Sequence, residues 1–329
     1  MSSRWRRPVA SGAALVAVVL LPVWVGGRHG YGLGTTAAIG VVLALGLQVT
    51  FGFSGQLSVA HAPLQGVGAY GAAWLMVEHG WSFWAALGPA VLVAAAFGAV
   101  VGLPGLRVRG DVLALVTLGA GEILQSLFLN TSRFTGGYQG IAGVPPVTVM
   151  GTPLDDRGVY ALAVGVALVA LAAVVALRRS PLGRAWLADR DDEVAARALG
   201  VPTGQLRLVA FAVGAGIAGA GGAVYAVENG FVSSVSFGLA QTVVVILVVL
   251  VAGEGHIGRT VAAAIAMAAV LDRLSAYGDV SEAVTGVVIL IVVAVRLGLA
   301  GAAGERVRSW LPARPVTPGP PAAPATVGR

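Results

Sequence analysis

Three groups of polar residues interrupt an otherwise apolar chain. Gln56, Ser58 and His61 sit in the Gly-rich stretch GFSGQLSVAHAPLQGVGAYG, residues 52–71. Glu122 stands well inside an apolar run, with Gln125 three residues on. Asp189, Arg190, Asp191, Asp192, Glu193 and Arg197 make a dense charged cluster. None of these is a catalytic constellation: no Ser/His/Asp set or carboxylate pair suggests bond-making chemistry. The chain has no Cys, which removes thiolate nucleophiles, thiolate metal sites and disulfides. His29, His61, His79 and His256 have no metal-ligand spacing. There is no G-x-x-x-x-G-K-[ST] run, so the chain has no phosphate-cradling loop with which to hydrolyse ATP unaided. Polar side chains in apolar sequence do other work. They hydrogen-bond between helices, line a wet path or dock a partner.

The elements that carry them are membrane helices. Of 329 residues, 57% are hydrophobic and 11% charged, against about 25% charged in globular chains. Mean hydropathy is +0.86. A soluble fold this apolar has too little polar surface to cover itself. An apolar stretch of about 20 residues crosses a bilayer core. On that measure the spans are 9–25, 34–52, 57–77, 81–103, 112–130, 158–177, 208–227, 237–252, 258–271 and 283–295. The expected fold is therefore an all-α, polytopic transmembrane bundle of about ten helices, with eight to eleven allowed. The segment after Arg4, Arg6 and Arg7 lacks a convincing small-residue cleavage site, and is expected to be a membrane helix rather than a signal peptide.

Arginine placement sets the orientation. The net charge is +6 and all 21 basic residues are Arg. With both termini cytoplasmic, only Arg28, Arg133, Arg157 and Arg273 fall outside, which is the asymmetry expected of a membrane topology. The basic surplus is thus a topology signal and implies no nucleic-acid partner. Residues 1–311 are expected to form the transmembrane domain. Residues 131–157 are its Gly/Pro-rich external loop and 178–207 its charged cytoplasmic loop. Residues 312–329, with six Pro, are expected to be a disordered tail. Within 178–207, Arg184–Leu199 reads as one amphipathic helix, stopped by Gly200 and Pro202. It is either a solvated surface helix or a docking helix for a cytoplasmic partner.

The intramembrane groups each admit two readings. Gln56, Ser58 and His61 line a broken helix along a translocation path, or they hydrogen-bond the bundle together. Glu122, with Gln125 on nearly the same face, is a path-lining carboxylate or a structural partner facing the bundle interior. Helix 211–226, carrying Gly214, Gly216, Gly219, Gly221 and Gly222, favours close static packing over a hinge.

Three stretches resemble one family. The run from Arg190 to Gly200 is similar to the EAA loop of ABC importer permeases, through Glu193, Ala195, Ala196 and Gly200. Residues 52–71 resemble the signature of the LivM-type permeases of branched-chain amino-acid importers, through Gly55, Gln56, Ser58, His61, Ala62, Gly66, Gly68, Ala69 and Tyr70. Residues 103–143 match the same family at Leu106, Arg107, Arg109, Gly110, Thr117, Gly121, Glu122, Thr135, Gly136, Gly137, Gly140 and Ile141, among others.

The resemblance implies an inner-membrane permease subunit that binds no cofactor itself. Its partners would be a second, homologous permease, two ATPase subunits that use ATP, an extracytoplasmic binding protein and the lipid bilayer. Arg190, Asp192, Glu193, Ala195, Ala196 and Gly200 would couple to the ATPase. Thr135, Gly136 and Gly137 would belong to an external gate. The chain departs from the family at Phe53-Ser54, Ala60, Pro63-Leu64 and Gly253-Glu-Gly-His-Ile-Gly258-Arg-Thr. The departures bear on substrate more than on transport. Urea, short amides, and other hydrophobic or aromatic acids stand beside leucine, isoleucine and valine. An ion-coupled carrier using Glu122 is the reading from another class.

Overall fold

The computed structural model describes residues 27–108, 110–275 and 286–287. The expected span 9–25, all but two residues of span 283–295, the 312–329 tail and Arg109 lie outside the described residues. Each of the other eight expected spans meets a helix. In chain order these are α1 (Gly27–Leu47), α2 (His61–His79), α3 (Phe83–Gly102), α4 (Gly110–Asn130), α6 (Asp156–Arg179), α9 (Thr203–Asn229), α10 (Leu239–Ala252) and α11 (Ile257–Ser275). Three short helices fill the connections: α5 (Ser132–Thr135), α7 (Pro181–Asp191) and α8 (Glu193–Ala198).

Six segments among the described residues are apolar and long enough to cross a membrane: Gly27–Phe53, Phe83–Leu106, Gly110–Asn130, Asp156–Arg179, Thr203–Asn229 and Ser234–Ala252. The helix α2 is not among them, although it lies at the centre. It has Gly, Gln, His and Tyr where an exposed span needs Leu and Val, and His61 to Tyr70 is buried without interruption. A helix wrapped by protein has no need to be oily.

The core is assembled around α9, which packs most extensively on α3, α2 and α1, while α6 and α11 lean on α1. Lipid tails give helices no hydrophobic reason to associate, so close approach and van der Waals contact must do it. Glycine makes that approach here. A Cβ on Gly219 would strike Ala94, one on Gly68 would strike the backbone of Gly219, and one on Gly222 the carbonyl of Gln65. The glycines of α9 are contact points between backbones, in keeping with static packing.

Helix ends follow local chemistry. Ser82, Asp155 and Ser180 cap α3, α6 and α7 by accepting the N–H of Ala85, Gly158 and Gly183. Residues 131–157 are tied down, with Ile141–Ala142 pairing antiparallel to Phe231–Val232.

Gly219→Val should lower the thermal midpoint of the detergent-solubilised chain, with a cost of about 1–3 kcal/mol or more from overpacking. Gly165→Ala is the control, because a Cβ there meets nothing within 4 Å. It should leave the midpoint unchanged or slightly raised.

Candidate functional site

The chain breaks its helix inside the bundle. After α1 the backbone widens into a π-helical turn, Gln48–Phe53, and residues 54–60 are not helical before α2 begins at His61. Such backbone is tolerated at membrane depth only where protein or a wet path satisfies its polar groups. Buried side chains do so here. Thr117 Oγ1 of α4 accepts the N–H of Val59 at 3.0 Å, and Thr242 Oγ1 of α10 accepts that of Ala62 at 3.3 Å. Both threonines are fully buried, and each returns its own hydroxyl proton to a carbonyl of its helix. His61 Nε2 lies 3.1 Å from the carbonyl of Leu43. A carbonyl only accepts, so Nε2 carries the proton. Gln48, oriented with its amide oxygen toward the 253–256 loop, accepts the N–H of Gly255 at 2.6 Å and of His256 at 2.9 Å.

The satisfaction is incomplete in one place. Gln56 Oε1, Ser58 Oγ, His61 Nδ1 and Tyr70 Oη are buried and make no hydrogen bond among the described residues. Gln56 Nε2 donates to Ser54 Oγ at 2.9 Å. Buried polar atoms are nearly always paired, and each orphan costs about 1–3 kcal/mol. These four fall in the stretch that the sequence marks as unusual.

Beneath the break is a polar cavity of about 300 Å³, lined by Phe51, Ser54, Gly55, Gln56, Gly110, Asp189, Arg190, Arg207 and Glu254. Arg190 crosses it. One guanidinium nitrogen donates to the carbonyl of Gly52, and another pairs with Glu254. Its stem lies against Gly55, which has φ +71° and where a Cβ would come within 3.0 Å of Arg190 Cγ. A side chain at 55 would be strained in its backbone and crowded against the arginine.

The loop carrying Arg190 is fixed to α9. Trp186 is fully buried, and its indole N–H donates to the carbonyl of Leu206 at 2.6 Å. Arg207 forks onto Asp189 through two bonds of 2.7 and 2.8 Å, with both side chains almost wholly buried. Arg207 also meets Glu193 at 2.9 Å, and Glu193 in turn pairs with Arg197 at 2.9 Å. The single helix expected over Arg184–Leu199 is in fact two. Asp192 takes an extended conformation and caps α8 by accepting the N–H of Ala195 at 3.0 Å. A short carboxylate that caps a helix competes with staying inside one. Gly200, at φ +80°, closes α8 with Val201 N–H returning to the carbonyl of Ala196. Ala196 is buried while Ala195, Val194 and Leu199 are exposed.

The family described as branched-chain amino acid transport system / permease component matches residues 31–295. The chain belongs to this family. It is 36% identical over 298 residues to the high-affinity branched-chain amino acid transport system permease protein LivM of Salmonella typhimurium, and equally to that of Escherichia coli. The match covers 83% of this chain and 70% of either relative. No solved structure matches the chain. It is thus a multi-pass membrane permease.

The remaining candidate residues of the permease are not gathered at the break. Glu122 does not face the bundle interior. It lies exposed on α4, while Leu113, Thr117 and Gly121 on another face of that helix are buried. Gln125 is turned away to the carbonyl of Ser234 at 3.3 Å. Thr135 locks a turn by donating to the carbonyls of Phe128 and Thr131 and accepting the N–H of Gly137. Gly136 and Gly137 have φ of +70° and +59°, which that turn requires. Sequence reasoning missed Thr242, Gln48, Trp186, Arg207 and Glu254 as parts of the site. Of these, Arg207 carried a signal, as a charge close to the start of an apolar span.

Arg207→Leu should destabilise the chain by about 3–5 kcal/mol, since it removes the two-bond partner of the buried Asp189 carboxylate. Asp189→Leu combined with Arg207→Leu should recover the larger part. Unfolding midpoints of the three proteins in one detergent check this.

Proposed function

We propose that this chain is the membrane-spanning permease subunit of an ATP-driven importer of branched-chain amino acids, working by alternating access. The observation that carries the reading is Arg190. It joins a surface loop, clamped to α9 through Trp186 and Asp189, to the carbonyl of Gly52 at the broken helix. A displacement of that loop reaches the interior through fixed contacts. The substrate follows the names of the relatives at 36% identity, which are branched-chain amino acid permeases.

The loop end of the bundle is the cytoplasmic one, on the strength of the arginine asymmetry. There α8 and the residue that ends it present Val194 and Leu199, 78% and 84% exposed, near the capping Asp192. A small apolar knob ringed by charge suits the groove of an ATPase subunit, and two such ATPases supply the hydrolysis for which this chain has no motif. At the opposite end, the pinned 131–157 segment is the surface for an external binding protein.

The α4 face carrying Glu122 and Ser126 is covered by a second, homologous permease. A carboxylate exposed on an apolar span is costly against lipid, and such residues normally meet protein or water. An ion-coupled carrier using Glu122 needs it inside this bundle, whereas it is on the outside.

Two outcomes are expected. In cells energised by ATP, leucine uptake should persist when an uncoupler is added, and Arg190→Ala should reduce it at least tenfold while ATP hydrolysis by the assembled complex continues. Uptake abolished by the uncoupler would instead favour ion coupling. Second, because the chain has no Cys, single cysteines can carry a photoreactive label. A label at Ser126→Cys should link to the second permease, and one at Val169→Cys on the apolar outer face of α6 should not.

A further inference from the structure

A second cavity, of about 180 Å³, lies between α1, α2, α9, α10 and α11. It is at the other end of α9 from the Arg190 cavity. Arg207 lines one and Glu228 the other, and 21 residues of helix separate them by about 30 Å. One face of α10 supplies Gln241, Val245 and Val248 at successive turns, while Ile39 and Ala44 of α1 stand opposite. Glu228 and Tyr225 come from the last turns of α9, and Gln65 from the first turns of α2.

The lining is of two kinds. Valine, isoleucine and alanine make an aliphatic wall. Set into it are one carboxylate, three primary amides, two hydroxyls and a phenol; of the amides, that of Asn229 donates to the carbonyl of Tyr225. Gln65 is 2% exposed, yet its amide makes no hydrogen bond among the described residues. That amide lines the cavity, where it is open to water or to a solute. Glu228 likewise makes no ion pair among the described residues. The volume is below the roughly 300–1,000 Å³ of pockets for drug-sized ligands, and suits a smaller solute.

We propose that this cavity holds an aliphatic α-amino acid as its zwitterion, on the side of the bundle away from the Arg190 loop. Glu228 takes the ammonium, the amide N–H groups of Gln65 and Gln241 take the carboxylate, and the side chain lies along Ile39, Val245 and Val248. A ligand with one positive end, one negative end and a branched hydrocarbon tail satisfies each part of the lining. The inference rests on the transport reading above and gives it an entry site within this chain. The Glu228 carboxylate is only partly buried, so solvent reaches the pair and the ammonium is held without being trapped.

The test uses the whole transporter in liposomes, with the two permeases, the ATPases and the binding protein, and follows labelled leucine. Glu228→Gln should lower leucine uptake at least tenfold, and Glu228→Asp should restore at least half of it, because the charge and not the shape is needed. Val248→Trp, which fills the cavity, should lower uptake to a similar degree. In all three, ATP hydrolysis stimulated by the loaded binding protein should stay within twofold of wild type, which reports intact assembly. Wild-type import matched by both Glu228→Gln and Val248→Trp would overturn the cavity as a site and leave the transport reading standing. A wild-type complex that imports no leucine would overturn both.

Discussion

A polypeptide that leaves its helix inside a bilayer must find partners for every peptide group it exposes. The seven residues between Phe53 and His61 impose that demand, and much of the molecule is arranged to meet it. The partners come from separate elements: Thr117 from α4, Thr242 from α10, Arg190 from α7. Gln48 and His61, on either side of the break, reach outward to the 253–256 loop and back to α1. Each of these bonds, lost singly, leaves a buried group unpaired at about 1–3 kcal/mol. The break therefore pins four helices and the 253–256 loop to one place. It is a point of weakness in a helix that serves as the organising centre of the bundle.

Around that centre, glycine and alanine replace the larger residues that usually fill a core. Phe211, Ala215 and Gly219 of α9 meet Gly102, Gly98 and Ala94 of α3, so that the two helices nearly touch along their length. Such contact gives α9 little freedom to slide. It behaves as a rigid strut, and whatever is fixed to its ends moves with it. The two cavities lie at those ends, with the Gly46–Gly214 approach and His61 packed between them.

Much of this was legible in the sequence. Hydropathy located eight described helices to within several residues, and the odd company of Gly, Gln, Ser and His marked the break. The resemblance placed the same residues in a permease family. What escaped has physical reasons. Periodicity cannot say whether an exposed face meets lipid or another subunit, so Glu122 was expected inward and lies outward. A helix pattern over 184–199 ignores that Asp192 caps better than it propagates. Asp189 and Arg207 are 18 residues apart, and nothing local announces that they will pair. Thr117 and Thr242 look like ordinary helix residues until a stray N–H is seen beside each.

Two neighbouring residues give the loop its leverage. Asp189 and Arg190 are adjacent on α7, and both line the same cavity, yet they bind different bodies. Asp189 grips Arg207 and thus the strut, while Arg190 grips Gly52 and Glu254 and thus the break with its supporting loop. In the proposed coupling, a force applied to α8 through its exposed apolar residues is delivered by one short helix to both. If only the Asp189 link existed, the loop would carry α9 along and leave the break behind. If only the Arg190 link existed, it would pull on the break with no link to the strut as a reference. Having both makes the relative position of strut and break depend on the tilt of α7. Ser54 and Gln56 of the break already line the cavity that Arg190 crosses, so they sit at the junction of the two links.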